Sequence, residues 1–290
     1  MFKYLAGLVI NTIRSCLKTA PHNRFGDRLI SLWSFIITHK RLPNKNLSFL
    51  DVLYRLKTSD EILDPLRVFV TDKELAKLFI AASIGPQYPV PTIAILSSPD
   101  EIDAYTFPAN CCIKPTHSSG QFILRKDGEA IDKECIKSWL GINYYTISRE
   151  ANYRYLTPKI IVEPLLFNSK SVVDYKIFCY MGKPRAIQVD VDRHSDWILG
   201  VFDTDWTEHR VTTESEMGNS AIERPANLEQ MMQAAEVLCQ QFPTIRVDMY
   251  SDGEAFYIGE LTNCPGSGLI VIPEKDREEA FSELIYGEVP

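Results

Sequence analysis

The spacing of apolar residues along the chain changes near Pro108. Before it, apolar positions recur mostly every three or four residues, which predicts helices over residues 1 to about 70. After it, apolar and polar residues alternate in short runs, which predicts β-strands. The chain has no internal repeat. The pattern therefore predicts an α+β protein whose second half is built from mostly antiparallel strands.

The segment TDKELAKLFIAASIG (71–85) has the end signals of a helix. We take Thr71 as its N-cap, with Glu74 three residues later, and Gly85 as the residue that closes it. A short strand is predicted at 92–96, followed by a helix that Ser98 caps and Pro99 begins.

The rest of the chain divides into strands and two helical segments. Strands are predicted at 111–115, 122–126, 159–166, 174–181, 185–192 and 197–203, helices within 132–150 and 226–242, and a hairpin at 244–262.

The register of the hairpin depends on the length of its loop. A two-residue turn at Asp252-Gly253 directs Asp248 and Glu260 to opposite faces. We favour a three-residue loop that begins at Ser251, which places Asp248 opposite Phe256. Side chains two apart on a strand share a face, so four polar residues then project together: Arg246, Asp248, Glu260 and Thr262.

Two carboxylates on one face repel each other unless a cation or a shared proton compensates them. A divalent ion with oxygen ligands does so, and Mg²⁺ typically takes one or two carboxylates together with substrate phosphates. The alternative is that Asp248 and Glu260 lie on a hydrated face of an edge hairpin.

Two other stretches suit a nucleotide. In CCIKPTHSSG, Lys114 ends an apolar strand and a small polar loop follows, so a lysine and backbone N–H groups could meet phosphate oxygens. In IIVEPLL, Glu163-Pro164 interrupts an apolar strand, which frees backbone groups for a flat heterocycle. The alternatives are an ordinary hairpin with an exposed lysine and an edge strand with a bulge.

Composition limits the classes of function. The 290 residues carry a formal charge of −7 with a pI near 5.4, which argues against a nucleic-acid partner. The seven cysteines lack C-x-x-C spacing, which favours reduced thiols in a cytoplasmic protein. The apolar stripe of residues 2–17 is too short to span a bilayer; we interpret it as a core helix, with peripheral membrane contact as the alternative.

Seven segments in a fixed order resemble the ATP-grasp superfamily, and within it the TupA-like group associated with bacterial surface-polysaccharide and teichuronopeptide synthesis. They are TDK, IKPTHSSG, IVEPLL, DYKIF, QVDVDR, IRVDMY and GELTNCPGSG, between about residues 71 and 287. The resemblance implies an ATP-grasp fold, in which two lobes with antiparallel sheets grip ATP and Mg²⁺. We divide the chain into a helical N-terminal region (1–70), a small α/β segment (71–110), a small lobe (111–170) and a large lobe (171–290).

The resemblance also implies roles for individual residues. Phosphates would be bound by Lys73 and Lys114 and covered by the loop His117, Ser118, Ser119 and Gly120. Adenine would meet Glu163 and the backbone at Leu165, and the ribose Asp174. The ligands of Mg²⁺ would be Asp248, Glu260 and, as a weaker or water-mediated ligand, Thr262, which stands where many members have Asn. Further contacts are Lys176 to phosphate or substrate, Arg193 and Arg246 to the reacting groups, and Pro265, Gly266, Ser267 and Gly268 to the acceptor.

The function implied is an ATP-dependent carboxylate–amine ligase that forms an acyl phosphate and then an amide. Its substrates would be an amine, such as an amino acid, and the carboxylate of a uronic acid in a glycan, close to a membrane-bound polysaccharide assembly. Two alternatives stay open: a nucleotide-binding module without turnover, and a phosphotransferase acting on a glycan hydroxyl at the same ATP site.

Overall fold

The computed structural model describes residues 20–45, 48–168, 172–191, 198–211, 222–272 and 274–287. The predicted stripe of residues 2–17 and Arg193 lie outside these ranges. In the part of the chain that is described, no helix has the length and apolar character needed to cross a membrane.

The described residues form helices and two antiparallel sheets, which confirms the predicted α+β class. The helices are α1 (Arg24–His39), α2 (Phe49–Thr58), α3 (Pro65–Thr71), α4 (Lys73–Ile84), α5 (Pro99–Ala104), α6 (Lys133–Trp139), α7 (Tyr144–Ser148), α8 (Leu228–Cys239) and α9 (Lys275–Tyr286), with 3₁₀ turns at Asp60–Leu63, Ala151–Tyr153, Leu166–Asn168 and Pro265–Gly268. The strands are β1 (Ala94–Leu96), β2 (Cys111–Pro115), β3 (Ile123–Arg125), β4 (Ile160–Pro164), β5 (Val173–Tyr180), β6 (Lys183–Val191), β7 (Ile198–Asp203), β8 (Thr244–Ser251) and β9 (Phe256–Thr262).

The start of α4 differs from the prediction by one residue. Thr71 is the last residue of α3, where its hydroxyl donates to the Arg67 carbonyl at 2.7 Å and so does not cap α4. The N-cap is Asp72, whose carboxylate accepts from the backbone N–H groups of Glu74 and Leu75. The predicted end at Gly85 and the Ser98 cap of α5 are confirmed.

The small sheet has the strand order β1-β4-β2-β3. One face is apolar: Ile113 of β2 and Val162 of β4 pack with Ile102 of α5 and Ile136 of α6. Because side chains alternate along a strand, residues between these positions project from the opposite face. That face carries polar side chains, which lie towards the other sheet.

The large sheet has the order β7-β6-β5-β8-β9 and is covered on both faces. On one face, Ile177, Val247 and Leu261 belong to a core with α8 and α4. On the other face, Phe178 packs edge-on against Phe49 of α2 and Phe281 of α9, with ring centroids 5.6 and 5.2 Å apart. Further along this second face the residues become polar, and the polar part faces the small sheet.

The hairpin loop is longer than predicted. Ser251 pairs with Phe256, so the loop has four residues, 252–255, and the three-residue loop was wrong. The Asp252 carboxylate stabilises it by accepting from the backbone N–H groups of Glu254 and Ala255 at 3.0 and 2.9 Å.

A β-bulge then shifts the register between Asp248 and Met249. Met249 pairs with Ile258 but Asp248 pairs with Glu260, so Gly259 is the extra residue. A Cβ on Gly259 would lie 2.6 Å from the ring of Tyr250, so any other residue there would force the strand or the ring to shift. The bulge returns Glu260 to the face of Asp248, and the predicted sharing of a face is confirmed.

Candidate active site

The polar face of the hairpin holds two carboxylates within reach of one hydroxyl. Asp248 lies directly opposite Glu260, and Arg246 lies opposite Thr262. The Thr262 hydroxyl is 3.3 Å from both Asp248 Oδ2 and Glu260 Oε1. Arg246 donates through Nε and Nη2 to Asp248 at 2.6 and 2.5 Å. The four residues predicted from the hairpin therefore form one contiguous group.

The two carboxylates of this group have pKa values shifted in opposite directions. Burial raises the pKa of Asp248 to about 7, against the attraction of Arg246 and with the repulsion of Glu260 acting in the same direction. For Glu260, burial opposes ionisation, but the positive charges of Lys73 and Arg246 prevail and lower its pKa to about 2. Arg246 and Lys73 are the cations that lie beside the two carboxylates. Glu260 is about a third exposed, so a ligand can reach it.

Lys73 joins the hairpin to the small sheet. It is buried at the N-terminus of α4, and its Nζ donates to the Ser118 carbonyl at 2.6 Å and lies 3.9 Å from Glu260. Asp72 holds this end of the helix in place, since it also accepts from the Thr116 hydroxyl at 2.9 Å. The lysine predicted to bind phosphate thus lies between the predicted metal ligands and the predicted phosphate loop.

The polar face of the small sheet presents Lys114 and Glu163 from neighbouring strands. Lys114 Nζ is 2.8 Å from Glu163 Oε2, and Lys77 Nζ of α4 is 2.5 Å from Glu163 Oε1. Burial raises the pKa of Glu163, but the two lysines outweigh it and hold the pKa below its usual value. Glu163 therefore remains ionised although only 3% of its side chain is exposed. Leu165, predicted to meet adenine, follows directly after β4 and is half-buried.

The loop after β2 is fixed at one end and open at the other. His117 is buried, and its Nδ1 accepts from the backbone N–H of Lys159 at 3.3 Å, so its ring points inward and burial lowers its pKa. The Ser118 hydroxyl donates to Gln121 at 2.8 Å. Ser119 and Gly120 are exposed, and Gly120 has a φ of +94°, which suits glycine. The tip of the loop is thus exposed, so a ligand can reach it.

A third acidic group continues the polar face on the central strands. Lys176 of β5 forms ion pairs with Asp174, at 2.5 Å, and with Asp190 of β6. Lys176 also lies opposite Asp248 in the register of β5 and β8. Asp174 and Lys176 therefore share the face of the hairpin carboxylates, as their predicted contacts with a nucleotide require.

The turn Pro265–Gly268 follows β9 and is held from behind by buried groups. Lys57 of α2 donates to the Ser267 carbonyl at 2.9 Å, and the Ser267 hydroxyl donates to Glu150 at 2.7 Å. Tyr144 lies 3.3 Å from the same hydroxyl. Gly266, Ser267 and Gly268 all have φ between 56° and 71°. The predicted acceptor loop is thus a defined turn, supported by α2 of the N-terminal helical region.

Asn263 has no part in the hairpin group. Its side chain is buried, accepts from Arg67 at 2.8 Å and donates to the Arg67 carbonyl and the Thr71 hydroxyl. Thr262 is therefore the side chain beside the two carboxylates. Among the described residues no three acidic, histidine or cysteine side chains are grouped as a metal site, so a cation here would have two carboxylates and a hydroxyl.

Sequence reasoning missed Lys77, and it included Asp190 only within the segment QVDVDR, without a role. A signal for Lys77 existed, because it stands four residues after Lys73 and therefore on the same face of α4. Asp190 alternates with Val189 and Val191, a pattern that fits a hydrated face as well as a site. The support of the acceptor loop by Lys57, Glu150 and Tyr144 involves residues far apart in sequence and left no local signal.

Comparison with known proteins gives one family and a set of structural neighbours. The model of the family described as TupA-like ATPgrasp matches residues 52–286. No curated protein sequence matches significantly.

The solved structures that match are ligases at low sequence identity. D-alanine–D-alanine ligase from Helicobacter pylori is 16% identical with a TM-score of 0.40, over 77% of this chain and 60% of that one. L-amino acid ligase from Bacillus licheniformis is 10% identical with a TM-score of 0.48, over 89% and 61%. D-alanine–D-alanine ligase from Bacillus anthracis complexed with ATP is 20% identical with a TM-score of 0.36, over 68% and 55%. The matched part of each of these proteins is thus less than two thirds of its length.

Proposed function

The chain belongs to the TupA-like ATP-grasp family, whose model matches residues 52–286, and from this premise we propose that it is an ATP-dependent carboxylate–amine ligase. The observation that supports this is the position of Lys73. Its ammonium group lies between the hairpin carboxylates, which are the predicted metal ligands, and the loop after β2, which is the predicted phosphate loop. One cation can therefore contact a triphosphate bound between these two parts of the site.

The residues of the hairpin fit a magnesium ion. Asp248, Glu260 and Thr262 offer hard oxygen donors on adjacent strands, and the Thr262 hydroxyl lies 3.3 Å from both carboxylates. When bound, Mg²⁺ would offset the charge of the nucleotide phosphates. Lys73 and Lys114 bind the phosphates as point charges, and the tip of the loop at Ser119 and Gly120 covers them.

The reaction proceeds in two transfers. An oxygen of the substrate carboxylate attacks the γ-phosphorus of ATP, ADP leaves, and an acyl phosphate forms. The nitrogen of the amine then attacks the acyl carbon, inorganic phosphate leaves, the nitrogen loses a proton, and an amide results. Arg246 lies beside the carboxylates and stabilises the phosphoryl group as negative charge develops on it. The turn Pro265–Gly268 positions the acceptor.

The substrates proposed are the carboxylate of a uronic acid in a glycan and an amino acid or related amine, near a membrane-bound polysaccharide assembly. The purified protein is incubated with ATP, Mg²⁺, uronic-acid glycans and a panel of amino acids. We expect phosphate release that depends on both a carboxylate and an amine, with the amide detected by mass spectrometry. A stable phosphorylated sugar would instead identify a phosphotransferase.

A matched pair of variants tests the hairpin group in that assay. Glu260→Gln removes the carboxylate opposite Asp248, and turnover should be abolished while the fold is retained. Glu254→Gln changes an exposed glutamate in the loop of the same hairpin and should leave turnover unchanged. Normal turnover in Glu260→Gln rules out its assignment as a magnesium ligand.

A further inference from the structure

One buried carboxylate is shared by two lysines on the small-sheet side of the site. Glu163 is 3% exposed, and Lys77 and Lys114 are 8% and 12% exposed. The two ammonium groups meet different oxygens: Lys77 contacts Oε1 and Lys114 contacts Oε2. Two cations thus share one anion, and the ion pairs can be broken independently.

The two lysines come from different elements. Lys114 is on β2, one strand away from Glu163 on β4, and is the lysine assigned above to the nucleotide phosphates. Lys77 lies one turn into α4 and is anchored at 2.9 Å to the hydroxyl of Thr92, in the segment that leads into β1. Lys77 therefore has a second contact outside the small sheet, whereas Lys114 lies on the polar face of that sheet, and Glu163 is its ion-pair partner.

When Lys114 binds a phosphate, it gives up all or part of its contact with Glu163. A buried carboxylate without a counterion is strongly unfavourable, so this transfer needs a second cation that stays in place. Lys77 meets that need, because its contact with Oε1 does not depend on Lys114. We propose that Lys77 is a positioning residue: it holds and neutralises Glu163 so that Lys114 can transfer from that carboxylate to the phosphates of a bound nucleotide.

This inference rests on the proposed nucleotide site. It differs from a role of Lys77 as a phosphate ligand in its own right, because a ligand would be needed whether or not Glu163 is charged. It also differs from a role in folding alone, which would not distinguish one nucleotide from another. Both differences can be measured by binding, without knowledge of the acceptor.

Isothermal titration with Mg·AMPPNP and with AMP is carried out on the full chain. The variants are K77M, K77R, E163Q and K77M/E163Q, and K137M is the control. Lys137 of α6 forms its ion pairs with Asp103 of α5 and Glu134 of α6, away from the site. We expect K77M to lose about tenfold in affinity for Mg·AMPPNP, as for other coupled charges in contact. Affinity for AMP should change less, and K77R and K137M should stay close to wild type.

The double variant decides between the roles. Once Glu163 is uncharged, Lys114 no longer needs to be released, so K77M/E163Q should bind Mg·AMPPNP about as well as E163Q. A tenfold loss on going from E163Q to the double variant would overturn the inference in favour of a direct phosphate contact. Equal losses for AMP and Mg·AMPPNP in K77M would overturn it in favour of a role in folding or in holding Glu163 against adenine, since neither role involves the release of Lys114 to the phosphates.

Three further outcomes are informative. If K77M does not fold, the Mg·AMPPNP affinities of E163Q and the double variant still decide between the roles, because neither variant has a charged Glu163 without a counterion. If the wild type does not bind Mg·AMPPNP, the proposed nucleotide site fails and this inference fails with it. If the wild type binds and K77M binds equally well, only the inference fails.

Discussion

Gly259→Ala is a sensitive test of how the fold builds the proposed metal site. Gly259 is the extra residue of the bulge that places Glu260 opposite Asp248. An added Cβ would lie 2.6 Å from Cε2 of Tyr250 and 3.3 Å from Cζ. Carbon atoms in ordinary contact are about 3.5–4.0 Å apart, so the strand or the ring must move by about 1 Å.

The protein can respond in two ways, and one is much more costly. Reverting to regular pairing would turn Glu260 to the other face of the sheet, where Val247 and Leu261 belong to an apolar core. An unpaired carboxylate buried there is more costly than local strain. We therefore expect the bulge to persist in strained form, with a loss of about 1–3 kcal/mol in the free energy of unfolding, as for other overpacked sites.

The effect on turnover should exceed the effect on stability. A displacement of about 1 Å at a group that positions reactants can reduce the rate about 100-fold. Urea denaturation gives the free energy of unfolding, and ATP consumption in the ligase assay gives turnover. Gly253→Ala is the matched control, because Gly253 has a φ of +95° in the same hairpin but its Cβ would meet no atom within 4 Å.

Gly253→Ala should lose about 1–2 kcal/mol through its backbone conformation and keep its turnover. The reasoning is refuted if Gly259→Ala keeps both the stability and the turnover of the wild type. It is also refuted if the two variants lose turnover to the same extent, since the bulge would then have no special role.

Three further outcomes follow from the described contacts. Glu163 has a lowered pKa, so its ionised form contributes stability that is complete above its unfolded pKa of about 4.3 and is lost as the pH falls through its folded value. Urea denaturation between pH 3 and 7 should therefore show that E163Q loses less free energy of unfolding at low pH than the wild type does. An equal dependence of the free energy of unfolding on pH in the two proteins would contradict this. Asn263→Ala removes one buried acceptor of Arg67, which keeps the Thr244 carbonyl and Glu61, and should cost about 1–3 kcal/mol by denaturation; wild-type stability would show that the lost contact is replaced. Asp72→Ala removes the N-cap of α4 and should lower the free energy of unfolding by about 1–2 kcal/mol. It should also weaken Mg·AMPPNP binding, because Lys73 is the first residue of that helix. Unchanged binding would show that the cap does not position Lys73 for the nucleotide.

Sequence patterns predicted the strands well because alternation follows directly from two-sided packing. The strand 111–115 was predicted with its observed bounds, since Cys111 and Ile113 face the core of the small sheet and Lys114 faces the other way. The same alternation places Glu163 on the polar face. The structure places Lys114 and Glu163 together on that face, and their roles in a site stay predictions.

The prediction of the N-cap of α4 was wrong because the residue type at Thr71 fits both a cap and the end of the preceding helix. Thr71 is a good N-cap by type, but it ends α3, where its hydroxyl bonds back to Arg67, and Asp72 takes the cap of α4. Two helices that meet at adjacent residues give no gap in the apolar pattern. The boundary becomes visible only when the hydrogen bonds of both helices are known.

The register of the hairpin could not be predicted from its turn signal alone. A three-residue loop keeps Asp248 and Glu260 on one face, but it places Glu260 four residues along the strand from the position opposite Asp248, about 13 Å away at the usual rise. One ion cannot bind both carboxylates at that distance. A four-residue loop without a bulge would put Gly259 opposite Asp248 and turn Glu260 to the apolar face. Only the four-residue loop with a bulge at Gly259 gives both a shared face and direct opposition, and neither the Asp-Gly turn signal nor the strand alternation predicts that bulge.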